Sequence, residues 1–313
     1  MSRQRTKVPF HYAEAMHSIF YTPVYTAISR GFCAEEGLAV ELYTCRPGEN
    51  STALVADGRA DAAQSSPSVG LVSAARGESG FPLHFAQINR RDGFFIVARP
   101  GRGSFGWKDL EGADLLPASF AAQPWLSLQY CLRKKGVDPN AIRLTRHASL
   151  DEAEQAFRQG QGDFVHLPQP YAERLIVQGV GQLAAAIGPQ IGPVGFSSLT
   201  AARDRVLRRD PVLVSFTRAF AKAQQWVQTA PANELAEAVQ PFFPDTDKAV
   251  LTRAVTRYRD QETWALQPLL SERDFDVIQD IFYTGGAIKE RHPYAEIVDT
   301  GIAREVMAGG SGR

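Results

Sequence analysis

One short pattern occurs twice in this chain, and it limits the fold more than any other feature. Ala53-Leu54-Val55-Ala56-Asp57-Gly58-Arg59-Ala60-Asp61-Ala62-Ala63 is matched by Ala156-Phe157-Arg158-Gln159-Gly160-Gln161-Gly162-Asp163-Phe164-Val165. Each copy reads as a helix stopped by glycine, an aspartate three residues on, and a short apolar strand. Glycine stops the helix because it takes the left-handed cap conformation without strain. Each strand runs into a polar, proline-containing loop: Gln64-Ser65-Ser66-Pro67 in one copy, His166-Leu167-Pro168-Gln169-Pro170 in the other. Two copies predict two α/β lobes on one plan. Both loops then lie at the carboxyl ends of strands, where open α/β sheets bind ligands.

The elements around these copies agree. Strands are predicted at Val8–Ala13, Leu38–Tyr43, Ala60–Gln64, Leu83–Ile88 and Phe94–Ala98, with helices at Thr22–Glu36, Asn50–Asp57 and Ser66–Ala75. Thr22 reads as an N-cap with Pro23 behind it and Gly37 as the stop. Pro100–Ser104 reads as the crossover to the second lobe. Beyond it, strands are expected at Ala113–Ala118, Ile142–Arg146 and Asp163–His166, and helices at Pro124–Lys135, Leu150–Gln159 and Pro170–Gln178. From Ala201 the pattern turns helical, with helices expected at 211–229, 232–243, 246–258 and 271–283. The last of these opens on a capping box, Ser271 to Asp274. Tyr294–Val298 reads as a packing segment and Ala308–Arg313 as a disordered tail.

Composition removes several function classes. Lys plus Arg and Asp plus Glu number 34 each in 313 residues, so the net charge is zero. Nucleic-acid binding rests on a basic excess that releases phosphate counterions, and none is present. No apolar run is long enough to insert in a membrane. Cys33, Cys45 and Cys131 are widely spaced and form no zinc pattern, so no metal is expected. Gly101-Arg102-Gly103-Ser104-Phe105-Gly106 fits a dinucleotide glycine pattern, but no helix opens within it. The expectation is a protein without cofactor. The first residues carry positive charge with no apolar stretch after them. A periplasmic location is expected if a leader has been removed, and a cytoplasmic one otherwise.

Thr26-Ala27, then Arg30-Gly31-Phe32-Cys33-Ala34-Glu35-Glu36-Gly37-Leu38, resembles a signature of the nitrate/sulfonate/taurine and thiamine-pyrimidine solute-binding superfamily. Gly58 to Asp61 is similar to its glycine-to-aspartate step. Trp107-Lys108-Asp109-Leu110-Glu111-Gly112 is similar to the turn that opens its second lobe, and the segment from Trp264 to Asp299 to its closing segment. Cys33 stands where the family usually has a second aromatic. The resemblance covers nearly the whole chain and implies a type II periplasmic-binding-protein fold. That fold has two α/β lobes joined by crossover strands, with a helical C-terminal part. Lobe one is then 1–99 with 193–313, and lobe two is 100–192. The implied function is to bind a small organic anion or heteroaromatic between the lobes, as a monomer serving an ABC permease. The alternative is a cytoplasmic enzyme or sensor on the same scaffold.

The same resemblance weighs against two chemistries. Ser65 and Val69 stand where thiamine-pyrimidine synthases carry Lys and His, and the cysteine run of those enzymes is absent. Ser18 stands where aryl-sulfinate desulfinases carry their nucleophilic Cys. His17 and His166 remain the acid–base candidates.

Ligand contacts are expected from four loops. His17, Phe20 and Tyr21 offer an imidazole and aromatic faces. Gln64, Ser65 and Ser66 precede a helix whose N-terminus favours an anion. Ser119, Phe120 and Gln123 form the matching loop of lobe two, and His166 and Gln169 its symmetric partner. Asn89 and Arg90, beside Arg91, could clamp an oxyanion near the crossover.

Overall fold

The repeated aspartates are the rivets of two sheets built alike. Asp61 donates its N–H to the His11 carbonyl at 2.8 Å and accepts the His11 N–H on Oδ2 at 2.7 Å. Asp163 does the same to Asp114, at 2.8 and 2.9 Å. In each lobe the side chain thus completes the ladder one residue ahead of a short central strand. The glycines before them, Gly58, Gly160 and Gly162, all have positive φ.

The computed structural model describes residues 6–46 and 48–310. The first sheet contains β1 (Val8–Glu14), β2 (Leu38–Thr44), β3 (Ala62–Ser65), β4 (Leu83–Asn89) and, from much later in the chain, β10 (Ser197–Ala201). The second contains β5 (Phe94–Ala98), β6 (Asp114–Leu116), β7 (Arg143–Leu144), β8 (Phe164–Pro168) and β9 (Gln182–Ala186). Their orders are β2-β1-β3-β10-β4 and β7-β6-β8-β5-β9. Each sheet has three parallel strands and then an antiparallel fourth that arrives from the other lobe. The fold is the expected pair of α/β lobes.

The first crossover differs from the sequence expectation. β5 pairs with β8 and β9, so the chain changes sheets at residues 90–93 and not at Pro100–Ser104. All five β5 residues are buried, a run that only the middle of a sheet accommodates. Residues 94–99 therefore belong with lobe two. The return lies between Ala186 and Ser197.

Smaller differences have local causes. The first helix is Thr22–Ser29, followed by a separate turn Phe32–Glu35, because Gly31 breaks it at φ 79°. Thr22 is inside that helix, and its hydroxyl donates to the Ile19 carbonyl. β7 is shorter than expected and β8 runs on to Pro168. The expected tail is helical through Gly310, because Ile302, Ala303 and Val306 bury one face of Gly301–Gly310. Residues 311–313 lie outside the described residues.

The helical part belongs to neither lobe alone. Pro211–Thr229 packs on Thr22–Ser29, Lys248–Asp260 reaches Tyr171–Val177 of lobe two, and Glu272–Thr284 touches helices of both lobes. No helix of the described residues is long and apolar enough to cross a membrane.

Candidate functional site

The carboxyl ends of β3 and of lobe two's β6 open on a shared cleft of about 800 Å³. Lobe one supplies Phe20, Tyr21, Ser65 and Ser66, and lobe two supplies Phe94, Phe120 and Gln123. Phe196 and Ser197 line it from the return crossover.

Its floor is aromatic. Phe20 packs edge-on against Phe196 at 5.3 Å and tilted against Tyr258 at 5.4 Å. Phe94 lies 6.3 Å from both Phe120 and Phe196. The Phe20 carbonyl accepts the indole N–H of Trp264 at 3.0 Å, which fixes this loop from the C-terminal part. Gly93 is required here: a Cβ on it would stand 2.3 Å from Phe20 Cε2. Ser18 caps the turn Ile19–Tyr21 through the Phe20 N–H, and its own hydroxyl donates to the Gln169 carbonyl at 3.0 Å. The loop that carries Phe20 and Tyr21 is therefore held to both lobes.

Polar groups face the cleft from both sides. Among the described residues, the Ser65 and Tyr21 hydroxyls have no protein partner, although both residues are buried. Burial raises the Tyr21 pKa above its ordinary value, so the phenol stays a donor. Opposite stands the N-terminus of Ala122–Lys134, a helix with no side-chain cap. The first N–H groups of a helix have no intrahelical acceptor. Gln123 bridges: its Oε1 accepts from Ser68 Oγ at 3.1 Å, and its Nε2 donates to the Phe196 carbonyl at 2.9 Å. Pro67–Ala75 is less available as an anion site than its sequence suggests. Pro67 has no N–H, and the Ser68 N–H is taken by Ser66 Oγ at 3.1 Å.

Of the expected contacts, Phe20, Tyr21, Ser65, Ser66, Phe120 and Gln123 meet in this cleft. The others do not line it. His17 Nδ1 is 2.6 Å from Glu14 and its Nε2 is 2.8 Å from the Phe242 carbonyl, with the ring stacked on Phe243. Gln64 is buried beside the first loop, donating to the Met16 carbonyl at 2.7 Å. Asn89 donates to Ser197 Oγ inside sheet one. Arg90 turns to Glu262 at 3.7 Å, outside the cleft. Ser119 donates to its own loop at the Pro117 carbonyl. His166 is fully buried behind Phe94. Gln169 is buried too, its Oε1 accepting the Glu173 N–H. For Gln64, Asn89 and His166 the reason is alternation, since a strand residue faces the cleft or the layer behind it and composition does not say which; His17, Arg90, Ser119 and Gln169 lie in loops and are turned away by the partners just given.

Sequence reasoning missed Phe94, Phe196 and Ser68. Phe94 reads as core in a buried strand, and Phe196 reaches the cleft only because the return crossover passes there. Ser68 was hidden by an ordinary cap. Among the described residues, no three His, Cys, Asp or Glu side chains are placed to hold a metal ion.

Comparisons with known proteins agree with this architecture. Residues 16–240 match the model of the NMT1-like family. YtlA of Bacillus subtilis (strain 168), named as a candidate binding protein, is 32% identical over 308 residues, covering 98% of this chain and 92% of YtlA. The alkanesulfonate-binding protein SsuA from Xanthomonas axonopodis pv. citri, solved bound to MOPS, superposes with a TM-score of 0.74 at 16% identity, over 94% of this chain and 98% of SsuA. The periplasmic nitrate-binding protein NrtA from Synechocystis PCC 6803 gives 0.70 at 13% identity, over 97% of this chain and 89% of NrtA. The two-lobed fold is that of type II periplasmic binding proteins, and the chain belongs to the NMT1-like family.

Proposed function

We propose that this protein binds a small aromatic oxyanion in the interlobe cleft and delivers it to an ABC permease. One observation carries the reading. Two unpartnered hydroxyls of lobe one, Ser65 and Tyr21, share a cleft with the uncapped helix N-terminus of lobe two, above an aromatic floor. The ring of the ligand lies on Phe20 and Phe196, where apolar burial and edge-to-face contacts hold it. Its sulfonate, sulfinate or carboxylate group takes hydrogen bonds from the hydroxyls and from the first N–H groups of Ala122–Lys134. A ligand touching both lobes favours the state in which they are together.

The likeness to SsuA supports an oxyanion, since that protein was solved with the sulfonate MOPS. The aromatic floor is this chain's own argument for a ring. An importer component works outside the cytoplasmic membrane, so the reading carries a periplasmic location. The enzyme alternative is weaker here. His17 is tied to Glu14 and Phe242, burial makes His166 a poor proton acceptor, and the Ser18 hydroxyl is engaged by Gln169.

Native mass spectrometry of the purified protein, followed by calorimetry with benzenesulfonate, benzoate, taurine and nitrate, tests this. Benzenesulfonate or benzoate is expected to bind at least about tenfold tighter than taurine. Equal affinity for taurine, or for nitrate, removes the aromatic part of the reading.

A further inference from the structure

His166 is the most deeply buried histidine without a use. It is fully buried in β8, and neither ring nitrogen has a hydrogen-bond partner among the described residues. Buried polar groups are nearly always paired, so a group with two open positions calls for an explanation. Burial holds its pKa down to about 3, and the ring stays neutral. A neutral imidazole offers one donor and one acceptor.

The position of the ring is informative. Its centroid is 5.0 Å from the centroid of Phe94, and Phe94 lines the cleft. Phe94 is itself covered by Phe120, stacked at 6.3 Å with 22° between planes. Phe120 is 41% exposed, so its ring is free on the side away from Phe94. It sits in the loop after β6, just before the uncapped helix, and among the described residues its ring stacks only on Phe94. In the cleft wall of lobe two, Phe94 therefore lies between the cleft and an unpaired imidazole, with Phe120 stacked on Phe94. Apart from Gln123, which is already bonded on both sides, that wall carries no polar side chain.

We propose that Phe94 and Phe120 form a gate and that His166 is the specificity residue behind it, hydrogen-bonding a polar substituent on the ligand's far edge when the ring of Phe94 turns aside. This rests on the aromatic-oxyanion reading and adds to it. The preferred solute carries its oxyanion at one end and a hydroxyl, amine or ring nitrogen at the other. The hydroxyl would fill one of the imidazole's two open positions, which a methyl group in the same place leaves empty.

The test compares 4-hydroxybenzenesulfonate with 4-methylbenzenesulfonate by calorimetry, in the full chain and in His166→Phe. The native chain is expected to prefer the hydroxylated probe by about tenfold. His166→Phe is expected to bind the methyl probe as before and to lose the preference. A preference that survives the substitution overturns the assignment, and so does a native chain that binds both probes equally. Binding of neither probe overturns the aromatic-oxyanion reading itself, and this inference with it. A second measurement does not depend on the variant folding. The ring-nitrogen resonances of isotope-labelled His166 are expected to shift with the hydroxylated probe and not with the methyl one. Resonances unmoved by a bound hydroxylated probe reject the gate.

Discussion

The Ser68 hydroxyl donates to the Gln123 side-chain carbonyl at 3.1 Å, and this bond joins the two helices whose N-termini meet at the cleft. Ser68 belongs to lobe one and Gln123 to lobe two. The Gln123 amide also holds the Phe196 carbonyl of the return crossover, so one side chain ties three segments together. Gln123→Leu keeps the volume and removes both bonds. The Ser68 hydroxyl keeps Ser66 Oγ at 2.8 Å, but the buried Phe196 carbonyl is left unpaired, so a loss of about 1–3 kcal/mol is expected in urea denaturation. A variant as stable as the native chain means the bond is not formed in solution.

Ser65→Ala and Tyr21→Phe each delete a hydroxyl that has no partner among the described residues. Melting temperature should stay within about a degree or two for each, since no native bond is lost. Benzenesulfonate affinity should fall about tenfold or more, the range for a hydrogen bond to a charged group. The opposite pattern, lost stability with unchanged affinity, removes both residues from the site.

Among the described residues, the cleft has no cationic side chain apart from Arg76 at its exposed rim. Oxyanion binding through neutral donors is little screened by salt, unlike binding between opposite charges. Benzenesulfonate affinity should therefore vary by less than about twofold between low and physiological ionic strength. A steep decline would point to arginine contacts that form only on binding.

His17 has an acceptor at each ring nitrogen, the Glu14 carboxylate and the Phe242 carbonyl, which suits the doubly protonated ring. Burial alone would lower its pKa, but the Glu14 and Phe242 contacts outweigh that and raise it above 6.5. A raised folded pKa stabilises most below the unfolded value and is lost as pH climbs through the folded one. The stability gap between native chain and His17→Ala should be widest below pH 6.5 and narrow at higher pH. Guanidinium titrations across that range check it, and a gap that widens with pH contradicts the pairing.

Glu173 of Tyr171–Val177 is fully buried and is met by Arg253 and Arg257 of Lys248–Asp260. The arginines are part-exposed, which weakens the pair relative to a wholly buried one. Removing both arginines strands a buried charge. The double variant Arg253→Met, Arg257→Met should cost about 3 kcal/mol or more and speed amide exchange in Tyr171–Val177. Unaltered exchange there would show that this contact does not hold lobe two to the helical part.

The sequence alone determined the two-lobed plan, because the step from helix-stopping glycine to aspartate to apolar strand is local chemistry. Gly58 and Gly160 need positive φ, and Asp61 and Asp163 cap the next strand, whatever surrounds them. Contacts within one turn or one strand are legible for that reason, and so were the loops that carry Phe20, Ser65 and Phe120. The tertiary structure decided the rest. β5 changed lobes because its pairing with β8 and β9 spans about seventy to ninety residues, a separation no local pattern encodes. His17 and Gln64 left the site because acceptors from distant segments, Phe242 and Met16, meet them first. Phe94 and Phe196 entered it because two crossovers pass between the sheets at that point. Which end of a strand bears the site follows from local order, whereas which side chain there faces the cleft follows only from what packs against it.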